Sequence, residues 1–260
     1  MRNVFVISVL VLVPAFLMTG CEVSSQSTPL SCADWGYGTD NGPTEWASMC
    51  STTCSASSQS PVDIARGSVS EIDLPAISIQ YVDTEFEWFN NGHTLEAEDG
   101  HPGDNTISVG GTAYELLQFH FHALSEHTID GQHSAIELHL VHRASDTELA
   151  VIGVMINQGA ENPHFASLWS ALPADESVAP AHISLNPAEL LPANAEYYRY
   201  DGSLTTPNGS NPAASCAEIV NWHVMKDGIE MSAGQIAAFQ GVFDHNYRPV
   251  QALNGRQIQG

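Results

Sequence analysis

The sequence predicts a mainly β domain of the α/β class: a central sheet with short peripheral helices. Three observations carry this expectation. Seven short runs alternate or are continuously apolar and break at Gly, Asp and Asn turns. Two stretches carry apolar residues at helical spacing. A chain of 260 residues, 43% hydrophobic and 14% charged, has material for one large core.

In order, the strand-like runs are residues 76–82, 84–89, 93–98, 105–111, 114–124, 134–143 and 148–156. The helical stretches are 162–172, which opens on Asn-Pro, and 232–243. From Cys32 onward there is no linker-like composition and no repeat, so one domain is expected over 32–260.

Ahead of it, Met-Arg-Asn and the apolar run at 4–18 form the basic start and core of an export signal, too short and Pro-interrupted for a membrane span. The stretch "LMTGC" resembles a bacterial lipobox, so residues 1–20 are expected to be removed and Cys21 to carry lipid; a plain secretory signal is the alternative. Residues 21–31, small and polar, suit a tether. An exported, lipid-anchored protein of the periplasm or cell surface follows, with the outer membrane favoured because Glu22 is not aspartate. Five cysteines fit this reading: with Cys21 on lipid, Cys32, Cys50, Cys54 and Cys216 remain for two disulfides, in any of three pairings.

Thirty acidic residues against seven basic ones, with Lys226 the only lysine, give a net charge of −23. Nucleic acid is thereby a poor partner.

The stretch "QFHFHAL" at 118–124 carries the chemistry. On a strand Gln118, His120 and His122 share one face while Phe119 and Phe121 take the other. In "AIELHLVH" Glu137, His139 and Val141 share a face by the same rule. If the two strands are neighbours, His139 completes a three-imidazole site of the kind that holds catalytic zinc with an open position. Gln118 and Glu137 are placed to receive the second N–H of His120 and His139.

The run "QFHFHALSEHTIDGQHSAIELHLVH" closely resembles the zinc core of α-class carbonic anhydrases. So do "WGYG" at 35–38, "NGP" at 41–43, "QSPVDI" at 59–64, "NNGH" at 90–93, "YDGSLTTP" at 200–207, "NWHV" at 221–224 and "NYRPVQALNGRQI" at 246–258. The resemblance implies that family's large, mostly antiparallel, twisted sheet and its zinc-dependent, reversible hydration of carbon dioxide to bicarbonate, with ester hydrolysis as a side activity.

It also implies roles. His120, His122 and His139 match the zinc ligands, whereas His127 and His142 lie in family motifs as non-ligands and His133 falls in a surface turn. Thr205 matches the threonine that accepts from the reacting hydroxide and donates to a buried carboxylate, here Glu126. Its backbone N–H and Thr206 would contact substrate. Val141, Val151, Leu204 and Trp222 match an apolar wall for carbon dioxide, which has no net dipole. His93 matches the proton shuttle, and Tyr37 and Asn91 match residues that order water. Glu96, often an amide in relatives, is expected to raise the pKa of His93. Exported relatives pair a cysteine before the "QSP" motif with one before the late tryptophan, which implies Cys54–Cys216 and leaves Cys32–Cys50. The competing reading, a binding module on the same fold, applies to relatives that have lost zinc ligands.

Overall fold

A computed structural model describes residues 30–260. The expected signal at 1–20, Cys21 with its expected lipid, and nearly all of the expected tether lie outside the described residues. Among the described residues no helix is long and apolar enough to cross a membrane.

The strands are β1 (Asp63–Ile64), β2 (Ser78–Gln80), β3 (Thr84–Asn90), β4 (Leu95–Asp99), β5 (Thr106–Val109), β6 (Thr112–His122), β7 (Thr128–Ile129), β8 (Ile136–Ser145), β9 (Glu148–Gln158), β10 (Ala181–Leu185), β11 (Tyr197–Gly202), β12 (Val220–Met225) and β13 (Ile229–Met231). The α-helices are α1 (Trp46–Met49), α2 (Ala166–Ser170) and α3 (Ala233–Gln240). Each expected strand run overlaps a strand, and the expected sheet with short helices is present. The stretch at 162–172 is less regular than expected: a 3₁₀ turn over Pro163–Phe165, entered through the Asn162 side chain, runs into α2. At α3, Ser232 and Gln235 form a reciprocal capping box.

Eleven strands make one sheet, with the main path β10-β3-β4-β6-β8-β9-β12-β11. Most neighbours are antiparallel; β12 and β13 run parallel to β9. In the middle, β8 and β9 are buried on both faces, which is why they read as nearly continuous apolar runs. Alternation still sorts their side chains. Phe119, Phe121, Leu138, Leu140, Ile152 and Val154 join the larger core, which Phe165, Leu168, Ile236 and Phe239 cover. Val141, Val151, Trp222 and Val224 lie on the opposite face in a second cluster with Tyr200 and Ile64.

Two disulfides are present, Cys32–Cys50 and Cys54–Cys216. They are characteristic of a compartment more oxidising than the cytoplasm.

Candidate metal centre and active site

Strands β6 and β8 are antiparallel neighbours, and His120 stands directly opposite His139. His122, two residues along β6, lies on the same face. One ligand nitrogen from each of the three rings can be chosen so that all lie within 4.8 Å of one another. Each ring spends its other nitrogen on an oxygen that can only accept. His120 Nδ1 donates to Gln118 Oε1 at 2.7 Å, His122 Nδ1 to the carbonyl of Asn246 at 2.7 Å, and His139 Nε2 to Glu137 Oε1 at 2.9 Å. These bonds fix the tautomers and leave lone pairs on Nε2 of His120, Nε2 of His122 and Nδ1 of His139.

The donor set fits a zinc ion. Nε2 of His122 is buried without a hydrogen-bond partner, and so is Oε2 of Glu126, 3.5 Å away. The same oxygen is 4.0 Å from His139 Nδ1. Bare acceptors this close in a buried site suit a cation. Burial, then the neighbouring imidazoles, hold His120 well below the ordinary histidine range. Burial likewise lowers His122, with Glu126 opposing it. Both rings are thus neutral, as metal ligands must be. Burial works to raise Glu137, yet its hydrogen bonds with His127 and His139 hold it well below the usual carboxylate range.

His127 and His142 make other contacts, and His127 with Glu137 and His139 forms a second group of close donor atoms. His127 bridges Glu137 Oε1 at 2.7 Å and the Tyr200 hydroxyl at 2.6 Å. His142 bonds the Tyr81 hydroxyl and the Ala150 carbonyl. His133 is exposed.

Above His120 and His122 opens a cavity of about 600 Å³. Its walls are the segment with Ala33, Trp35 and Tyr37, the turn with Asn91 and His93, and the loop 206–210.

Comparison with known proteins settles the family. The family model described as eukaryotic-type carbonic anhydrase matches residues 41–260. The chain belongs to the eukaryotic-type carbonic anhydrase family. It is similar to a carbonic anhydrase of Klebsiella pneumoniae, 36% identical over 241 residues, covering 91% of this chain and 94% of the relative. A carbonic anhydrase of a Nostoc species is 36% identical over 233 residues, covering 86% and 85%. Among solved structures, the Thermovibrio ammonificans α-carbonic anhydrase in complex with sulfanilamide has a TM-score of 0.80 and 38% identity, covering 87% of this chain and 98% of that one. The Photobacterium profundum α-carbonic anhydrase has a TM-score of 0.79 and 36% identity, covering 87% and 100%.

Within this family member the structure amends three expected roles and places a fourth group, the apolar wall. The bond expected from Thr205 to Glu126 is not formed, because Oε1 accepts the Arg248 N–H at 2.8 Å and Oε2 turns toward the imidazoles. Val141, Val151 and Trp222 are mutual sheet neighbours in the second apolar cluster, with Leu204 packed on it, and Trp222 stands against the His139 ring. The Asn91 amide is spent on its own turn: Oδ1 accepts the N–H groups of His93 and Thr94, and Nδ2 donates to Glu96. That turn needs Gly92, whose φ is +85°. Finally, Glu96 does not raise the His93 pKa. Burial lowers His93, and the opposing acid is Glu176. Glu96 is itself pushed up to about 7 by burial and Glu98, so it is a weak source of negative charge.

Three positions escaped the sequence. Asn246 lies in the quoted "NYRPVQ" motif, but its contribution to His122 is a main-chain carbonyl, which no side-chain pattern announces. Arg248 supplies the Glu126 bond through its backbone and buries its guanidinium over Trp46, bonding Gln59, Ser60 and Cys54. Trp35 lies flat against His93, with ring centroids 3.6 Å apart.

Proposed function

We propose that the chain hydrates carbon dioxide reversibly to bicarbonate and a proton, with zinc held by His120, His122 and His139. The observation that carries this is the trio of convergent imidazole nitrogens, each ring locked by a hydrogen bond on its far side. When bound, zinc supplies the acidity that lets water lose a proton near neutral pH, an effect for which carbonic anhydrases are themselves the standard example. Gln118, Glu137 and the Asn246 carbonyl orient the three rings. With those imidazole nitrogens engaged by zinc, Glu126, fixed by the Arg248 N–H, would have its unpartnered Oε2 free to accept a hydrogen bond from the Thr205 hydroxyl, so that Thr205 Oγ1 accepts from the reacting water and directs its lone pair.

Carbon dioxide rests against Val141, Val151, Leu204 and Trp222, and the Thr205 N–H and Thr206 contact the product. His93, at the cavity wall with Tyr37, carries the proton outward through ordered water. All three imidazoles, Thr205, Glu126 and His93 are present, which favours an enzyme over a binding module.

The test is metal analysis with stopped-flow hydration. The expected result is one zinc per chain, activity lost on chelation and regained with zinc, and loss of both in His139→Ala. Full activity in the metal-free protein would sink the reading.

Residues 1–20 act in this proposal as an export signal and 21–31 as the tether of a lipid on Cys21, anchoring domain 32–260 at the outer membrane. The support is that the other four cysteines are paired. Fatty-acid labelling that persists in Cys21→Ser contradicts the anchor.

A further inference from the structure

The Cys32–Cys50 bridge has no part in the reaction as proposed above, yet it lies beside the group that carries the proton. Cys32 stands three residues before Trp35, and Cys50 follows α1, which Trp46 begins. The Trp46 ring is fully buried and donates Nε1–H to the carbonyls of Gly36 and Asn41. Trp35 meets it edge-on, with centroids 5.6 Å apart and planes at 90°. On its other side Trp35 is a platform for His93: centroids 3.6 Å apart, planes within 15°.

The His93 backbone is held by Asn91 and Asn246. Among the described residues, neither ring nitrogen of His93 is hydrogen-bonded, so the stack on Trp35 sets the ring's orientation. The segment 32–35 also closes on the cavity loop. A Cβ on Gly209 would lie 3.2 Å from the Cys32 carbonyl oxygen and 3.3 Å from the Ala33 Cα, a fit that glycine permits. That loop is pinned independently, because Cys216, bridged to Cys54, donates its N–H to the Thr206 carbonyl. Besides the bridge, the segment's polar ties to the rest of the domain are Asn41 Nδ2 to the Asp34 carbonyl, the Gly36 N–H to the Asn41 carbonyl, Trp46 Nε1–H to the Gly36 carbonyl, and the Ser215 hydroxyl 3.7 Å from Cys32 Sγ.

We propose that the Cys32–Cys50 bridge is a positioning element for proton transfer: by clamping residues 32–35 to α1 it holds the Trp35 ring in place as the surface on which the His93 imidazole lies. The proposal rests on His93 being the proton carrier. Cys32, Cys50 and Trp35 touch neither substrate nor metal; they act through His93. With the bridge open, the segment is free to lift from α1 and from Gly209, and the imidazole loses its fixed place at the cavity wall. The rate at which protons leave falls, while the hydration step beneath is untouched.

The experiment compares the zinc-loaded parent, His93→Ala and the double variant C32S/C50S. Stopped-flow hydration gives kcat/KM, and kcat is followed against buffer concentration. Proton NMR reads the upfield shift that the Trp35 ring current imposes on His93. In C32S/C50S, low-buffer kcat is expected to fall about threefold or more toward the His93→Ala level and to recover in concentrated imidazole buffer, with kcat/KM unchanged and the His93 shift lost.

Parental low-buffer kcat with the shift retained overturns the proposal. So does an equal fall in kcat and kcat/KM, which marks a merely structural bridge. If His93→Ala itself keeps parental low-buffer kcat, the proton-carrier reading fails and takes the proposal with it; if His93→Ala falls and C32S/C50S does not, only the bridge proposal fails. Should the double variant not fold, opening the bridge in the parent with a phosphine reductant, with peptide mapping to confirm an intact Cys54–Cys216, gives the same comparison.

Discussion

The main-chain carbonyl of Asn246 lies 2.7 Å from Nδ1 of His122, a bond that spans 124 residues of sequence. The Asn246 side chain secures the same neighbourhood: Oδ1 accepts the Ala123 N–H, and Nδ2 donates to the carbonyls of Phe121 and His93. One buried residue thus fixes the His122 ring and the backbone on both sides of it. Asn246→Ala keeps the carbonyl but strips those bonds. Zinc affinity, measured by chelator competition, is expected to fall about 10–100-fold, in the range typical of lost outer-shell partners. An unchanged affinity would mean that the carbonyl alone positions the ring.

Val141 faces Val151 across β8 and β9, and Val151 faces Trp222 across β9 and β12. This wall lies against His139, whose ring centroid is 4.9 Å from that of Trp222. Val141→Phe is therefore expected to keep its zinc while kcat/KM for hydration drops by about tenfold or more, at a stability cost of about 1–3 kcal/mol from overpacking. A zinc-loaded variant with parental kcat/KM would place substrate elsewhere.

Period-two spacing made the centre legible before any coordinates. Gln118, His120 and His122, and Glu137 and His139, take the faces that alternation assigns, because β6 and β8 are central strands whose burial leaves no choice of register. Less legible were β10 to β13. β10 alternates cleanly as Ala-His-Ile-Ser-Leu but is only five residues long at a sheet edge, whereas β11 reads Tyr-Tyr-Arg-Tyr-Asp-Gly, without an apolar alternation. Charge placement was the least legible of all. Glu96 is close to His93 in sequence, yet it is turned to Asn91 Nδ2, whereas Glu176, 83 positions from His93, folds back onto the Gly92 turn.

That reversal is testable. Burial lowers the His93 pKa below its ordinary value, and the Glu176 carboxylate opposes the shift. Removing the charge in Glu176→Gln lowers the pKa further, so the proton-transfer limb of kcat moves to lower pH. Titration of the His93 ring by NMR checks it; a rise, or a larger response to Glu96→Gln, would restore the expectation drawn from sequence proximity.

His223 provides a prediction about stability. Its ring is buried against Tyr197, its Nδ1 has no partner, and burial, with Arg199 adding to it, pushes its pKa down to about 4. The unfolded chain binds this proton near the ordinary value of about 6.5, whereas the folded chain refuses it until about pH 4. The stabilisation from keeping His223 neutral is therefore complete above pH ~6.5 and lost as pH falls through this window, at up to about 1.4 kcal/mol per pH unit. His142, held down to about 3 by burial, works in the same direction and remains in the variant. His223→Ile should flatten, without abolishing, the fall in urea midpoint of the zinc-loaded protein between about pH 6.5 and 5. Parallel curves for parent and variant would show that His223 accepts its proton in the folded state, through an opening that these contacts do not provide.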